Sequence, residues 1–311
     1  MSADNNNEAE EEISRCASCG TTENDDIKLR ICTDCYLVRY CGVQCQKDHR
    51  MKHEKECKKR AAELRDELLF KQPESSHEGD CPICCIPLPL VAEDSGMMPC
   101  CSKLICIGCD YSYQMRQPDE RLGNECPFCR HPILSTKGEA EKILMKRVEA
   151  NDPVAVRQMG KQRYDERDYK AAFKYWSKAA ELGDVLSHFN LSNLYSNGEG
   201  VEKDEKKDVY HLEQAVIGGQ VDARHDLGCV EWNNGRHERA LRHWIIAANL
   251  GHDNSLEAIK RGHRDGLVSK DDFASTLRAH KAAVDAMKSP QREAAEADVQ
   301  YSEFRQKAKR S

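Results

Sequence analysis

The sequence has few aromatic residues and no long apolar run. Phe, Trp and Tyr make up only 6% of its 311 residues, which argues against a single large hydrophobic core. No apolar stretch approaches the roughly 20 residues that a membrane helix requires, so we expect no membrane span. Residues 1–12 are rich in Asn and Glu and lack the apolar segment of a secretory signal peptide. We therefore expect an intracellular protein, cytoplasmic, nuclear or both, and not a secreted one.

The charge balance is acidic. The chain has 47 basic and 53 acidic residues, a net charge of −6, which argues against nucleic acid as its main partner. A basic stretch at 47–60 is the exception. Because Asp48, Glu54 and Glu56 interrupt it, we interpret this stretch as a solvated helix face. A nuclear-import or nucleic-acid patch is the alternative.

Cysteines are concentrated in one part of the chain. Sixteen of the 17 lie between Cys16 and Cys129, and only Cys229 lies outside. In a reducing compartment, dense cysteines bind metal more often than they pair as disulfides. The pattern therefore predicts zinc in the N-terminal half, and Cys229 is interpreted as a buried apolar residue.

The first cysteine cluster supplies eight candidate zinc ligands in four pairs. They are Cys16 and Cys19, Cys32 and Cys35, Cys41 and Cys45, and His53 and Cys57. Eight ligands make two four-coordinate sites with no position left for water, which is the structural form of zinc. His53 and Cys57 are four residues apart, so we expect them on one face of a helix.

This spacing, with Tyr40 and Gln44 beside the third pair, resembles the MYND-type zinc finger over residues 16–57. The resemblance implies a cross-brace in which alternate pairs share one ion. One zinc would then bind Cys16, Cys19, Cys41 and Cys45, and the other Cys32, Cys35, His53 and Cys57. His49 is a rival to His53 whose distance to Cys57 does not fit the family. The family binds proteins, often proline-rich peptides, although a folded spacer is the alternative.

The second cysteine cluster has one cysteine too many for two zinc sites. Its pairs are Cys81 and Cys84, Cys100 and Cys101, Cys106 and Cys109, and Cys126 and Cys129. Cys85 is the ninth, and we interpret it as the spare. The side chains of adjacent residues in an extended backbone point opposite ways. Cys100 and Cys101 therefore reach one ion only if the backbone turns sharply, and whether both bind is open.

This pattern resembles an all-cysteine RING finger over residues 81–132. The resemblance implies one zinc on Cys81, Cys84, Cys106 and Cys109, and a second on Cys100, Cys101, Cys126 and Cys129. It also implies that Ile83 and Pro127 contact a ubiquitin-conjugating enzyme and that Arg130 steadies ubiquitin. Such a ligase acts by positioning the reactants, and its zinc does no chemistry. Alternatively, Ile83 belongs to the core, Pro127 forms a turn and Arg130 lies on the surface.

The C-terminal half contains an internal repeat. Gly183, Gly219 and Gly251 are separated by 36 and 32 residues, and Trp176, Leu212 and Trp244 each stand seven residues before one of them. A period near 34 predicts a solenoid of helix pairs, with glycine ending helices and the large residues in the core. The turn at 197–201 resembles SEL-like repeats, relatives of tetratricopeptide repeats, over roughly 154–262. Such arrays bind proteins on a concave face.

Together these observations predict a mainly α protein: two small cross-braced zinc-binding modules followed by an α-helical repeat solenoid. The expected boundaries are a disordered acidic tail at 1–15, the first finger at 16–57, a helix and linker at 58–80, the second finger at 81–132, a connecting helix at 133–153, repeats at 154–289 and a C-terminal tail at 290–311. We expect about four zinc ions, two in each finger. The function expected is an intracellular adaptor acting as a RING-type ubiquitin ligase; a non-catalytic scaffold is the alternative.

Overall fold

A computed structural model describes residues 15–91, 94–120, 125–132, 137–301 and 303. The chain forms two compact units, Met1–Lys71 and Gln72–Ser311. The expected tail at 1–15 lies outside the described residues except for Arg15. Within the described part of the chain, no helix is both long and apolar enough to cross a membrane.

The first unit is a small finger followed by a long helix. Strand β1 (Arg30–Ile31) pairs antiparallel with β2 (Arg39–Tyr40), and helix α1 (Val43–Leu69) follows. The core of the finger is formed largely by its own cysteines, with Cys16, Cys32 and Cys35 buried beside Tyr40. The helix expected near 58–70 is the second half of α1, because no helix-breaking residue separates it from the helix that carries His53.

The second unit begins with residues 72–80 and another small cysteine-rich module. Strand β3 (Ser95–Met97) pairs antiparallel with β4 (Leu104–Cys106), which leads directly into helix α2 (Ile107–Glu120). Cys81, Leu88, Ile105 and Cys106 are buried together. Two cysteines are thus half of this small core, so metal binding and folding must be linked in this module.

The rest of the second unit is helical. Its helices are α3 (Lys137–Glu149), α4 (Pro153–Asp165), α5 (Tyr169–Glu181), α6 (Val185–Asn197), α7 (Glu205–Ile217), α8 (Val221–Asn233), α9 (His237–Asn249), α10 (Asp253–Arg264), α11 (Lys270–Ala286) and α12 (Pro290–Ala297). Helices α4 to α9 have 13 residues each and form three successive pairs. Neighbouring helices pack in chain order, as expected for a solenoid.

Glycine and tryptophan interlock inside two of these pairs. A Cβ atom on Gly160 would lie 2.4 Å from the indole of Trp176, and one on Gly228 would lie 2.4 Å from that of Trp244. Both indole Nε1 atoms donate to a backbone carbonyl, of Arg157 and His225 respectively, at 3.1 Å. Trp176 and Trp244 are only 3% and 7% exposed. The prediction that the recurrent large residues form the core is confirmed. Because Gly160 and Gly228 have no side chain, each leaves space for the indole ring that packs on it.

The turns between successive repeats combine a left-handed glycine with a helix cap. Gly183, Gly219 and Gly251 have φ of +89°, +88° and +95°, a conformation that favours glycine. The next residue caps the following helix: the side chains of Asp184, Gln220 and His252 accept the backbone N–H three residues on. The predicted helix ends are therefore confirmed, and each turn also starts the next helix.

The C-terminal segment differs from the tail expected at 290–311. Ser289 caps α12, and Pro290 occupies its first turn, where a missing N–H costs nothing. Ala295 and Tyr301 are buried with Ile107 of α2. Residues 290–301 are thus packed against the second cysteine module; the sequence concealed this because the segment is highly charged and the contact is made with residues far away in the chain.

Candidate zinc centres

The first cysteine module, residues 16–57, brings its eight candidate ligands together in two sets. In one set Cys41 Sγ lies 3.6 Å from Cys19 Sγ and 3.5 Å from Cys45 Sγ, with Cys16 completing the four. In the other, Cys32 Sγ lies 3.8 Å from Cys57 Sγ, and Cys35 Sγ lies 3.2 Å from His53 Nε2. Within each set all ligand atoms lie within 4.8 Å of one another. These are the two sets that the MYND resemblance implied.

The second module also forms two sets. In the first of these, Cys81 Sγ lies 3.8 Å from Cys109 Sγ, and Cys84 Sγ lies 3.8 Å from Cys106 Sγ. The other set is Cys100, Cys101, Cys126 and Cys129, in which Sγ atoms approach to 3.4 Å (Cys129 to Cys100) and 3.7 Å (Cys101 to Cys126). Alternate pairs along the chain share a set, so this module is cross-braced like the first.

The spacing of the sulfur atoms fits zinc. Tetrahedral coordination with Zn–S bonds of about 2.3 Å places neighbouring sulfurs roughly 3.8 Å apart. A disulfide needs about 2.05 Å, and none of the seventeen cysteines, all of which are described, is paired in one. Four closed sets of soft ligands therefore hold about four structural zinc ions, two in each module. Closed sites leave no coordination position for substrate, so the zinc stabilises the fold and does not catalyse.

Four of the cysteine pairs share one backbone turn. The residue after the second cysteine has a positive φ, and its N–H donates to the carbonyl of the first cysteine at 2.8–3.0 Å. These residues are Gly20, Tyr36, Cys85 and Arg130. The turn aims both sulfurs of a pair at one point. It also explains why Cys85 is the spare cysteine, since it occupies the turn position, is exposed and belongs to neither set.

The adjacent Cys100 and Cys101 reach one site because the backbone does turn sharply. Met98 O accepts the N–H groups of both Cys101 and Ser102, at 3.2 and 2.8 Å. Ser102 has a φ of +55°, so Cys101 takes the place of the second cysteine in the turn. Both sulfurs therefore lie in one set of four, where they can reach the same ion.

Backbone N–H groups stabilise one thiolate in several sets. Burial raises the pKa of the Cys16 thiol, but the N–H groups of Cys19, Cys41 and Ser18 lower this pKa to about 6. In the second module, burial raises the pKa of the Cys81 thiol, but the N–H groups of Cys106, Cys84 and Ile83 lower it to about 7. Burial raises the pKa of Cys57 to about 12. Such a thiol needs a cation nearby to ionise, so zinc binding must release protons.

His49 lies outside the ligand set. The buried His53 points its Nε2 at Cys35, whereas His49 Nδ1 is 3.1 Å from the hydroxyl of Tyr40. The two imidazole rings stack with centroids 5.8 Å apart. His49 and Tyr40 thus support the ring of His53, which is the role that second-sphere residues play at structural zinc sites.

The three residues implied in ubiquitin transfer lie on the second module. The side chain of Ile83 is 45% exposed, inside the pair Cys81 and Cys84. Pro127 is half-buried inside the pair Cys126 and Cys129, and Arg130 is exposed. Ile83 is therefore not a core residue, which removes one part of the alternative reading of this motif.

Sequence reasoning missed two arginines that contact the second module. Arg292 of α12 lies against Cys84, and Arg147 of α3 contacts Cys100. Both are far from the cysteines in sequence, so no spacing pattern marks them. The one local signal is Ser289-Pro290, a helix start that shows the C-terminal segment to be more than a tail.

Family models match two parts of the chain. The MYND finger model matches residues 16–57, and the Sel1 repeat model matches 157–184, 185–219 and 224–252. Neither match extends over residues 81–132. The chain therefore contains a MYND finger and Sel1 repeats.

Curated relatives are similar only over short stretches. HcpC of Helicobacter pylori is 43% identical over 56 residues, 18% of this chain and 19% of its own length. The cytochrome c oxidase assembly factor 7 homolog of Drosophila melanogaster is 36% identical over 61 residues, 19% of this chain and 23% of its own. The chain thus spans less than a quarter of the length of either relative.

Among solved structures, a Sel1 repeat protein from Oxalobacter formigenes aligns with a TM-score of 0.41 and 19% identity, covering 50% of this chain and 67% of its own. The c5321 antigen of uropathogenic Escherichia coli aligns with a TM-score of 0.38 and 20% identity, covering 50% of this chain and 34% of its own.

Proposed function

We propose that the second module acts as a RING-type ubiquitin ligase and that the MYND finger and the Sel1 repeats recruit its substrate. The observation that carries this proposal is the exposed Ile83, held by a cross-braced pair of zinc sites. An apolar side chain fixed on a rigid turn gives a conjugating enzyme a defined contact. Pro127 lies at the equivalent place in the last pair of the same module.

The proposed mechanism is positioning. The conjugating enzyme docks on Ile83 and Pro127 and carries ubiquitin as a thioester. Arg130, exposed at the end of the last cysteine pair, contacts the ubiquitin and restricts the thioester to a reactive conformation. Holding reactants in the attacking geometry lowers the entropy cost of the transition state. The zinc ions keep the docking residues in place.

The test is autoubiquitination by the zinc-loaded full chain with a panel of conjugating enzymes. We expect Ile83→Ala to weaken binding of the conjugating enzyme and to reduce transfer. We expect Arg130→Ala to slow discharge of ubiquitin while leaving that binding largely unchanged. Matched controls in the same module are Val91→Ala, an apolar side chain that is 54% exposed, and the exposed Lys103→Ala. Wild-type protein without transfer activity, or variants no worse than these controls, would overturn the proposal.

A second candidate function is a non-catalytic scaffold that binds proline-rich peptides. The observation that favours it is a set of exposed large apolar side chains on the first module: Ile31, Tyr36, Leu37, Val43 and Met51. We propose that these side chains form one patch, because contiguous exposed apolar patches mark protein-binding sites. Titration of fluorescent proline-rich peptides against wild-type protein and Tyr36→Ala tests this function, and equal affinity for both would contradict it.

We also propose an intracellular location, cytoplasmic or nuclear. The support is chemical: none of the seventeen cysteines, all of which are described, is in a disulfide, and sixteen of them belong to zinc-binding sets or to the turn at Cys85. A reducing compartment preserves such thiols. Localisation of the tagged full-length protein in cells tests this proposal, and secretion into the medium would contradict it.

A further inference from the structure

Arg292 inserts into the second module from the C-terminal helix. Its side chain is almost wholly buried, with the residue 3% exposed. Nη1 donates to the carbonyl of Pro87 at 2.8 Å, and Nη2 donates to that of Ile86 at 3.3 Å. Nη2 also lies 3.9 Å from Cys84 Sγ. The guanidinium group thus holds the turn after the first cysteine pair and touches a thiolate of that zinc site.

The helix that carries Arg292 is fixed on α2 by close contacts. A Cβ atom on Gly108 would lie 2.6 Å from the backbone nitrogen of Arg292, so the two backbones meet without a side chain between them. Beyond α12, the hydroxyl of Tyr301 donates to Asp110 at 2.6 Å. Because α2 begins directly after the zinc ligand Cys106 and contains Cys109, these contacts bear on the same zinc site.

Arg147 makes a similar connection to the other zinc site. Its Nε donates to Ser102 Oγ at 2.9 Å, and its Nη1 donates to the carbonyl of Cys100 at 3.4 Å. Arg147 also pairs with Asp152. Asp152 caps α4, the first helix matched by the Sel1 repeats. The turn that bends Cys100 and Cys101 toward one ion is therefore tied to the beginning of the repeat array.

The two arginines come from opposite ends of the array. Helix α3 packs on α4 through Leu144, Val148 and Val156. Helix α11, which precedes α12, packs on α9 and α10 through Phe273, and Val268, which lies just before α11, belongs to the same buried cluster. Each zinc site of the second module thus receives one arginine. Arg147 lies on a helix packed on one end of the repeats, and Arg292 lies on the helix that follows α11, which packs on the other end.

We propose that Arg292 and Arg147 couple zinc retention in the second module to the two ends of the repeat array. A zinc ion bound by four thiolates carries excess negative charge, and a buried guanidinium beside a ligand offsets part of it. Residues in the second coordination sphere also fix ligand orientation, and their loss costs about 10–100-fold in metal affinity. Arg292 acts mainly on the set containing Cys84, and Arg147 on the set containing Cys100.

The experiment follows zinc loss site by site in the full-length, zinc-loaded protein. A chelator is added, released zinc is measured, and alkylation of each cysteine is followed by peptide mass spectrometry. The variants are Arg292→Met and Arg147→Met, which keep much of the apolar stem but lose the guanidinium. The matched control is Arg278→Met, an exposed arginine of α11. Arg292→Lys retains the charge but cannot reach both carbonyls and Cys84 in the same way.

For Arg292→Met we expect alkylation of Cys81, Cys84, Cys106 and Cys109 to accelerate about tenfold or more. Arg147→Met should accelerate mainly Cys100, Cys101, Cys126 and Cys129, and Arg278→Met should change neither set. Arg292→Lys should fall between wild type and Arg292→Met. Unchanged protection in Arg292→Met and Arg147→Met would overturn the proposal. Equal acceleration of all four zinc sets would also overturn it, because that pattern reports general unfolding rather than a site-specific arginine.

Discussion

The two cysteine modules use the same coordination chemistry but are supported differently. The first completes both zinc sites within residues 16–57, and His49 and Tyr40 from the same segment support its histidine ligand. The second takes support from Arg147 and Arg292, the latter 205 residues beyond its carbonyl partner Pro87. A ligand pattern in the sequence therefore indicates where metal binds but not which other segments the metal site requires.

The largest difference between the modules should follow loss of a zinc ligand. Structural zinc in small fingers contributes about 10–16 kcal/mol of binding free energy, so a lost ligand should unfold the local module. In Cys32→Ser we expect hydrogen exchange to increase only within the first unit. In Cys106→Ser it should also increase in residues 290–301, because α12 packs on α2. Protection of 290–301 that is unchanged in Cys106→Ser would contradict the distinction.

The repeat array should be destabilised by mutation without losing zinc. Trp244 fills the space left by Gly228, so Trp244→Ala creates a cavity and should lower the free energy of unfolding by about 3–5 kcal/mol. Trp176→Ala is the matched change in the first Sel1 repeat. Denaturant unfolding followed by far-ultraviolet circular dichroism measures the effect, and metal analysis checks the zinc. Unchanged unfolding with weakened partner binding would instead place Trp244 on a recognition surface.

A smaller effect should be a pH dependence of stability that is carried by the repeat array and not by the zinc modules. Burial, with Asp222 nearby, raises the pKa of Asp226 to about 6, whereas an unfolded aspartate titrates near 4. The unfolded chain therefore loses this proton first as pH rises, and stability falls between about pH 4 and 6. Asp226→Asn should stabilise the array by roughly 1–3 kcal/mol at pH 7.

The control for this prediction is pH itself. The advantage of Asp226→Asn should shrink toward pH 4, where aspartate is protonated in both states. Denaturant unfolding at several pH values measures it, with Asp253→Asn as an exposed control on α10. A stabilisation that is constant with pH would show that Asp226 does not carry the raised pKa.

The smallest effect concerns the contact between Tyr301 and Asp110. Tyr301→Phe removes a hydroxyl that donates to the carboxylate at 2.6 Å but keeps the ring in its packed position. A hydrogen bond to a charged group contributes about 1.5–3 kcal/mol at most, and the partly exposed site reduces it toward 1 kcal/mol. We expect faster exchange in residues 290–301 alone. Faster exchange throughout the repeats would contradict a local role for this contact.

The sequence predicts local features better than distant contacts. The recurrence of Trp176, Leu212 and Trp244, each seven residues before a glycine, indicates the core of the array, because the whole pattern lies within short stretches of the chain. The ligand pairs likewise follow from short spacings, whereas their grouping into cross-braced sets is what the family resemblances imply. The turn at Met98 that unites Cys100 and Cys101 could not be deduced, because neither neighbouring residue is a glycine that marks a left-handed position. Arg292 was missed because its partners lie far away in the chain.

The most direct test of this account is the number of zinc ions bound to the intact chain, measured by native mass spectrometry. Four closed sets of ligands predict four ions in wild-type protein, two from each module. Limited chelation should give species with fewer ions, and alkylation mapping should assign each loss to a set of four ligands. A fully loaded protein with only two zinc ions, and with the thiols of Cys81 to Cys129 freely reactive, would contradict the central claim.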